Sequence, residues 1–140
     1  MKSKICTTID QCKKLLDLGI DINTADLTVT NYPLQDGSRF DFICCKLPND
    51  TFPSITDGKS EKIPAWSLSA LLELIPPYLG KFNDGIDFGF SKSMNGKWYS
   101  AHYIQLDNSG LATFTKTVTG NTSVDAAFEM VCWLKENGKI

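Results

Sequence analysis

The chain of 140 residues contains one histidine, His102, and five cysteines. Histidine titrates near neutrality, so His102 is the candidate for a general base. Such a base would activate a hydroxyl or a thiol as a nucleophile, and the candidates for that role are Ser91, Ser100, Cys45 and Cys132. The corresponding reaction class would be hydrolysis.

An ordinary structural role is the competing interpretation for these residues. A histidine in the solvent-facing row of a strand needs no function, so this role is favoured over catalysis for His102. Nothing in the sequence around Cys132 would activate its thiol, and an unreactive cysteine is favoured there. Hydrolysis or small-molecule binding at His102 is therefore the alternative hypothesis for this chain.

The sequence predicts neither a metal site nor a cofactor. A zinc site needs about four Cys or His ligands, usually from closely spaced pairs, and the cysteines lack that spacing. Cys44 and Cys45 are adjacent, so a strand would direct them to opposite faces. The chain has no phosphate-binding loop, dinucleotide fingerprint, nucleophile elbow or paired-histidine zinc motif.

The charge balance argues against nucleic acid as a partner. Fourteen basic residues stand against sixteen acidic ones, and Arg39 is the only arginine. Proteins that bind nucleic acid usually carry a basic excess and use arginine to bind phosphates and guanine. The lysines are also scattered, which argues against a patch that binds anionic membranes.

The expected compartment is the cytoplasm. The N-terminal residues become polar at Thr7 without an apolar signal region, and no stretch approaches the roughly 20 apolar residues of a membrane span. The odd number of cysteines shows no pairing pattern, as is usual in a reducing compartment.

The first half of the chain predicts a helix, a hairpin and a second helix. Thr8–Gln11 fits a capping box, and Gly19 supplies the left-handed residue that ends the first helix. The following strands are expected at 25–32 and 39–47, with Cys44 more buried than Cys45. Residues 48–64 contain three prolines and are expected to form an irregular loop before a helix that Ser67 caps.

The residues on both sides of Asn95-Gly96 predict a three-stranded meander. Asn95-Gly96 is expected as a two-residue turn, which pairs Phe88 with Tyr103 and Gly89 with His102. A second turn at residues 107–110, with Leu106 opposite Leu111, would pair Phe114 with Tyr103 and Thr115 with His102. One face would then be aromatic. The candidate ligand-binding residues on the other, polar face are Ser91, Ser100, His102 and Thr115.

The last helix is expected from about Ser123 to Asn137. Its apolar arc is so wide that only Asp125, Glu129, Cys132 and Glu136 remain on the opposite face. Such a helix either completes the core of its own chain or contacts a second copy. The candidate interface residues are Phe128, Met130 and Trp133.

Three segments resemble small uncharacterised proteins encoded by phages, prophages and mobile elements of gut Bacteroidales. They are Asn23-Thr24-Ala25-Asp26, the stretch IPAWSLSALLELIP from Ile63 to Pro76, and VDAAFEMVCWL from Val124 to Leu134. The resemblance implies a bacterial cytoplasm and a mobile-element context. It brings no activity and no catalytic residue with it.

Together these patterns predict one α+β domain over residues 1–140. Its expected order is helix, β-hairpin, helix, three-stranded antiparallel meander and C-terminal helix, with the helices packed on one sheet face. The leading hypothesis is a small non-enzymatic module that binds a protein partner or a second copy of itself. Binding or hydrolysis of a small molecule around His102 is the alternative.

Overall fold

The computed structural model describes residues 4–46, 54–55 and 60–140. Over these residues the chain is α+β, with three α-helices and two antiparallel sheets of four strands each. The predicted fold class is therefore confirmed. The residue contacts form two compact units, one of which is Cys6–Ala70, while the other joins the chain up to Ile5 with Leu71–Ile140. The single domain expected over residues 1–140 stays a prediction.

The unit of residues 6–70 contains one sheet and the helix that precedes it. Its elements are α1 (Ile9–Asp17), β1 (Leu27–Pro33), β2 (Arg39–Cys45), β3 (Ser54–Ile55) and β4 (Glu61–Ala65). The strand order is β2-β1-β4-β3, with every pair antiparallel. Strand β1 is therefore central, and β2 lies at one end of the sheet. Helix α2 (Leu68–Leu74) begins in this unit, and the boundary between the units falls inside it.

Helix α1 has both predicted ends. The Thr8 hydroxyl accepts a hydrogen bond from the Gln11 backbone N–H, and the Gln11 side chain accepts one from the Thr8 N–H. At the other end Gly19 has φ +84°, and the Ile20 N–H donates to the Leu15 carbonyl at 3.0 Å. This is the Schellman geometry, in which a glycine without a Cβ reverses the chain direction at low cost.

The loop expected at residues 48–64 is wrong at its C-terminal end, because residues 61–64 belong to β4. Residues 47–53 and 56–59 lie outside the described residues. Pro64 is opposite Thr28 of β1. The alternation of hydrogen bonds along β1 directs the Pro64 nitrogen away from β1, so its missing N–H breaks no bond to that strand.

The segment around Thr24 and the start of α2 contact each other in this unit. The Trp66 indole N–H donates to the Thr24 hydroxyl at 2.9 Å, and the Asp26 carboxylate accepts from the Ser67 backbone N–H at 2.9 Å. The Ser67 hydroxyl in turn accepts from the Ala70 N–H, as the sequence predicted for the cap of α2. These contacts fix the start of α2.

The second sheet belongs to the other unit. Its strands are β5 (Tyr78–Leu79), β6 (Ile86–Lys92), β7 (Tyr99–Leu106) and β8 (Ala112–Gly120), in the order β5-β6-β7-β8. Helix α3 (Ser123–Glu136) follows β8 and packs on β7 and β8. Strands β6, β7 and β8 form the predicted meander.

The predicted register of β6 and β7 is confirmed, although the turn differs. Gly89 pairs with His102 and Phe88 with Tyr103. The Gly96 N–H donates to the Ser93 carbonyl, and the Ser93 N–H donates to the Trp98 carbonyl, so four residues separate the strand ends. Of the Asn-Gly pair only Gly96 has positive φ, whereas a two-residue type I′ turn needs positive φ at both positions.

The predicted register of β7 and β8 is wrong by one pair at the turn and by two further along. The Asp107 N–H donates to the Leu111 carbonyl and Gly110 has φ +83°, so the loop holds three residues between them and Leu106 pairs with Ala112. A bulge between Tyr103 and Ile104 adds the second shift.

The bulge changes which side chains share a face. Phe114 pairs with Ile104 instead of Tyr103, so it lies on the face that carries His102. Thr117, and not Thr115, pairs with His102. The face predicted to be polar therefore includes a phenylalanine, and the aromatic set of the opposite face loses one member.

Candidate functional site

His102 lies in the middle of β7 and is half-buried. Its ring covers the backbone of Gly89 on β6, where an added Cβ would stand 2.4 Å from His102 Nε2. The Phe114 ring meets the His102 ring edge-on, with 5.4 Å between the centroids. The immediate neighbours of the histidine are thus a glycine backbone and an aromatic ring.

The candidate hydroxyls are placed differently from one another. Ser91 and Ser100 pair with each other on the His102 face, one step of the same face along from the Gly89–His102 pair. Ser91 is exposed and Ser100 is buried. Thr115 falls at the bulge and is not paired with His102. The sheet therefore brings three of the four predicted residues to one face.

Within the described residues, no hydrogen bond joins His102 to Ser91, Ser100 or Thr117. A nucleophile and its base normally lie within hydrogen-bonding distance of each other. A cavity of about 350 Å³ does occur in this unit, but its lining is Pro76, Pro77, Tyr78, Leu79, Gly80 and Lys139, which excludes His102.

The two cysteines that could have served as nucleophiles lie on different elements. Cys132 is buried on α3, in contrast to the expectation that it lies on the helix's polar stripe. Cys45 is exposed on β2, in the other unit. Within the described residues, no group of three or more His, Cys, Asp and Glu side chains could hold a metal ion.

The wide apolar arc of α3 is largely buried. Phe128 and Met130, two of the three candidate interface residues, are 4% and 0% exposed. Trp133 is half-buried, with its ring centroid 6.5 Å from that of Tyr103 and the Lys116 ammonium 5.7 Å from its centre. Phe128 and Met130 are therefore core residues, and the role of this helix as an interface stays a prediction.

Strand β2 is the surface that sequence reasoning missed. All seven of its residues are exposed, although Phe40, Phe42 and Ile43 are large and apolar. Phe40 and Phe42 are 52% and 50% exposed, and Tyr32 of β1, which pairs with Phe40, is 41% exposed. Large exposed apolar surfaces usually mark places where a partner binds.

Cys44 illustrates why the exposure of β2 was not predicted from the sequence. The alternation of β2 predicted that Cys44 would be more buried than Cys45, and both are exposed. The Cys44 sulfur lies 2.9 Å from the hydroxyl of Thr28, its pairing partner on β1, so the two side chains lie on the same face of the sheet. Alternation along a strand shows which side chains share a face, but it does not show whether another element covers that face.

The free edge of β2 carries the backbone groups of its odd-numbered residues. The Leu34 N–H donates to the Ser38 carbonyl, and the Lys46 N–H donates to the Asp26 carbonyl. The register between these bonds is uninterrupted, and hydrogen-bonded pairs alternate along antiparallel strands. Even-numbered residues therefore bond to β1. Within the described residues β2 has β1 as its one neighbour in the sheet, so the N–H and C=O groups of Asp41, Ile43 and Cys45 point away from β1.

Two opposite charges lie close together on this edge strand. The Arg39 Nε donates to the Asn31 side-chain oxygen, and the Asn31 amide nitrogen donates to an Asp41 carboxylate oxygen. Asn31 thereby holds the two charged side chains on one face of the sheet. Strand β2 therefore carries exposed apolar side chains and also two opposite charges, whose side chains are both bonded to Asn31.

None of the described helices is long and apolar enough to cross a membrane. Comparison of the chain with protein-family models, with curated proteins and with solved structures found no match.

Proposed function

We propose that this chain is a small non-enzymatic protein-binding module and that β2 is its binding strand. The observation that carries the proposal is that every residue of a seven-residue strand is exposed, including three large apolar side chains. An unpaired strand edge offers a row of backbone donors and acceptors that an extended segment of another chain can pair with. The compartment we propose is a bacterial cytoplasm, in agreement with the family resemblance.

The apolar side chains of β2 offer enough surface to matter for binding. Each phenylalanine is about half exposed. Covering that half removes on the order of 100 Å² from water, which is worth roughly 2–3 kcal/mol for each ring. Association itself costs at least about 4 kcal/mol, so the two rings alone give weak binding. Backbone hydrogen bonds along the outward edge would supply the remaining affinity and the strand direction.

Selection from a random peptide library tests the proposal and does not require that the partner be identified first. Wild-type protein is the bait, and the double variant Phe40→Ser/Phe42→Ser is compared with it. We expect extended apolar peptides that bind the double variant at least tenfold more weakly, because it loses about 1.4 kcal/mol or more of apolar contact. The matched control is Leu111→Ser/Phe114→Ser, which removes two similarly exposed apolar side chains from the other unit.

The control should bind the selected peptides as tightly as the wild type does. Circular dichroism and thermal melting of each variant show whether the fold is kept. Selected peptides that bind wild type and the β2 double variant equally well would contradict the proposal.

A further inference from the structure

Asp41 is a charged residue in the middle of the proposed binding strand. It lies between Phe40 and Phe42, and its backbone N–H and C=O point away from β1. Within the described residues, its carboxylate accepts a single hydrogen bond, from the Asn31 amide nitrogen, and takes part in no ion pair. The second carboxylate oxygen can accept further hydrogen bonds. The strand therefore carries a negative charge with which a cationic residue of a partner can pair.

The bond from Asn31 restrains this charge before a partner binds. Asn31 is the pairing partner of Asp41 on β1, and its amide nitrogen donates to the carboxylate. Exposed ion pairs are usually weak, in part because both side chains lose freedom when the pair forms. At Asp41 part of that freedom is already lost in the free protein, so an ion pair with a partner costs less there.

The charge of the whole unit has the same sign as the charge of Asp41. Residues 6–70 contain nine Asp and Glu residues and six Lys and Arg residues, a net charge of −3. Such a charge attracts basic segments and repels acidic ones, and it also repels the same unit of a second copy. Charge therefore favours a basic segment over the β2 of a second copy as the added strand.

Antiparallel pairing brings the side chains of an added strand closest to the two phenylalanines. Opposite residues of antiparallel strands alternate between hydrogen-bonded pairs and non-hydrogen-bonded pairs, and the side chains are closer in the latter. Asp41 and Ile43 direct their backbone groups outward, so they take the hydrogen-bonded positions. Phe40 and Phe42 then take the closer positions. The strand pairs described in this sheet are antiparallel as well.

An antiparallel strand with a basic residue opposite Asp41 has a defined sequence pattern. The residue after the basic one is opposite Phe40, and the two residues before it are opposite Phe42 and Ile43. These three side chains of β2 are large and apolar, and each is between 37% and 52% exposed. Apolar residues cover them best, so the pattern from the N-terminus to the C-terminus is apolar, apolar, basic, apolar.

From these observations we infer that the partner of β2 is an extended basic segment of another protein, paired antiparallel with a lysine or arginine opposite Asp41. The inference rests on the proposed function, in which β2 binds an extended strand, and it specifies the chemistry of that strand. Asp41 determines the register, because one alignment of the segment places its basic residue opposite the carboxylate. Phe40, Phe42 and Ile43 supply the apolar contact.

Fluorescence anisotropy of labelled peptides in 0.15 M salt tests the pairing at Asp41. One capped peptide carries valine, valine, lysine and valine between threonines, and a second peptide has glutamate in place of the lysine. Wild-type protein should bind the lysine peptide at least about fivefold more tightly, because opposite charges stabilise a strand pair and like charges destabilise it. Asp41→Lys should reverse this preference. Asp41→Asn keeps an acceptor for the Asn31 amide and should reduce the preference to less than about twofold, since salt screens more distant charges.

Two further measurements control for charge and report the strand direction. Asp87→Lys reverses an exposed carboxylate on a strand of the other unit, and it should leave the preference for the lysine peptide unchanged. A nitroxide on the N-terminus of the peptide lies near the C-terminal end of β2 in an antiparallel pair. It should therefore broaden the amide resonance of Cys45 more than that of Phe40. Circular dichroism confirms that each variant is folded.

The results separate this inference from the proposed function. Wild-type protein that binds both peptides equally, or binds neither, overturns the basic partner, as does a preference that Asp41→Lys fails to reverse. Stronger broadening at Phe40 than at Cys45 overturns the antiparallel direction. If library selection still yields peptides that depend on Phe40 and Phe42, binding at β2 stands and only the chemistry of the partner is wrong. If no such peptide is found either, both proposals fail.

Discussion

Tyr103 is the buried residue whose protonation has a direct effect on stability. Its hydroxyl donates a hydrogen bond to the Pro76 carbonyl at 2.7 Å, and its ring lies among the aromatic side chains under α3. Burial raises the pKa of Tyr103 to about 12, from an ordinary value of 10. The side chain is therefore neutral in the folded chain at pH values where the unfolded chain has begun to ionise.

This pKa shift predicts a loss of stability at alkaline pH. Below pH 10 the phenol is neutral in both states, and its stabilising contribution is fully present. As the pH rises from 10 to 12 the unfolded state loses the proton first, so the contribution falls. Tyr103→Phe should cost about 0.5–1.5 kcal/mol near neutrality, because it removes the hydrogen bond to Pro76.

Urea unfolding of wild type and Tyr103→Phe at a series of pH values measures this contribution. The difference in unfolding free energy should shrink above pH 10, while titration of the other residues cancels between the two proteins. A difference that stays constant up to pH 12 would show that the Tyr103 phenol is not protected from ionisation.

At the residue scale, the sequence predicted which side of a strand a side chain lies on better than it predicted whether that side chain is buried. The Gly89–His102 pairing was predicted, and the structure places it as expected. The exposure of Cys44 and the burial of Cys132 were predicted wrongly. A residue's face follows from local alternation, whereas its burial depends on which distant element covers that face.

At the element scale, two hairpin loops of different sequence have the same form. Leu34–Ser38 and Asp107–Leu111 each place three residues between the paired strand ends, with a glycine of positive φ as the third. An aspartate accepts hydrogen bonds from a nearby serine in both loops, and these bonds lower the pKa of Asp36 and of Asp107. The turn positions were readable from the sequence.

The loop length and the bulge at Tyr103 were not readable with the same accuracy. Turn residues fit loops of two, three or four residues almost equally well, and each added residue shifts the register by one pair. A bulge depends on twist and on packing against α3, so it leaves no short-range signal at Thr115.

The burial of α3 leads to a prediction for two of its side chains. Met130 is fully buried, so Met130→Ala should reduce the unfolding free energy by about 2–5 kcal/mol. Trp133 is half-buried, so Trp133→Ala should cost less than the roughly 3–5 kcal/mol of a buried aromatic residue. Urea unfolding gives both values.

The same two variants separate a core role for α3 from an interface role. Neither substitution should change the affinity for peptides selected on β2, because the proposed binding strand lies in the other unit. A Trp133→Ala protein that is as stable as wild type but binds those peptides more weakly would place the binding surface on α3 instead.

At the scale of the whole molecule, the order of the strands in the first sheet is the feature that the sequence did not predict. The α+β class and the order of helix, hairpin, helix, meander and helix followed from local patterns. The insertion of β4 beside β1 joins residues 30 to 38 positions apart, and this pairing leaves β2 at the sheet end. Without that long-range pairing, the apolar strand RFDFICC is typical of a half-buried strand and not of a binding edge.

Residue-resolved amide exchange of the wild-type protein, with and without a peptide selected on β2, tests the central claim most directly. Without peptide the amides of Asp41, Ile43 and Cys45, which point away from β1, should exchange quickly, and those of Phe40 and Phe42, bonded to β1, should exchange slowly. With peptide the amides of Asp41 and Ile43 should become protected. An exchange pattern at Asp41 and Ile43 that the peptide leaves unchanged would contradict strand pairing at β2, and slow exchange of these amides without peptide would contradict the exposed edge itself.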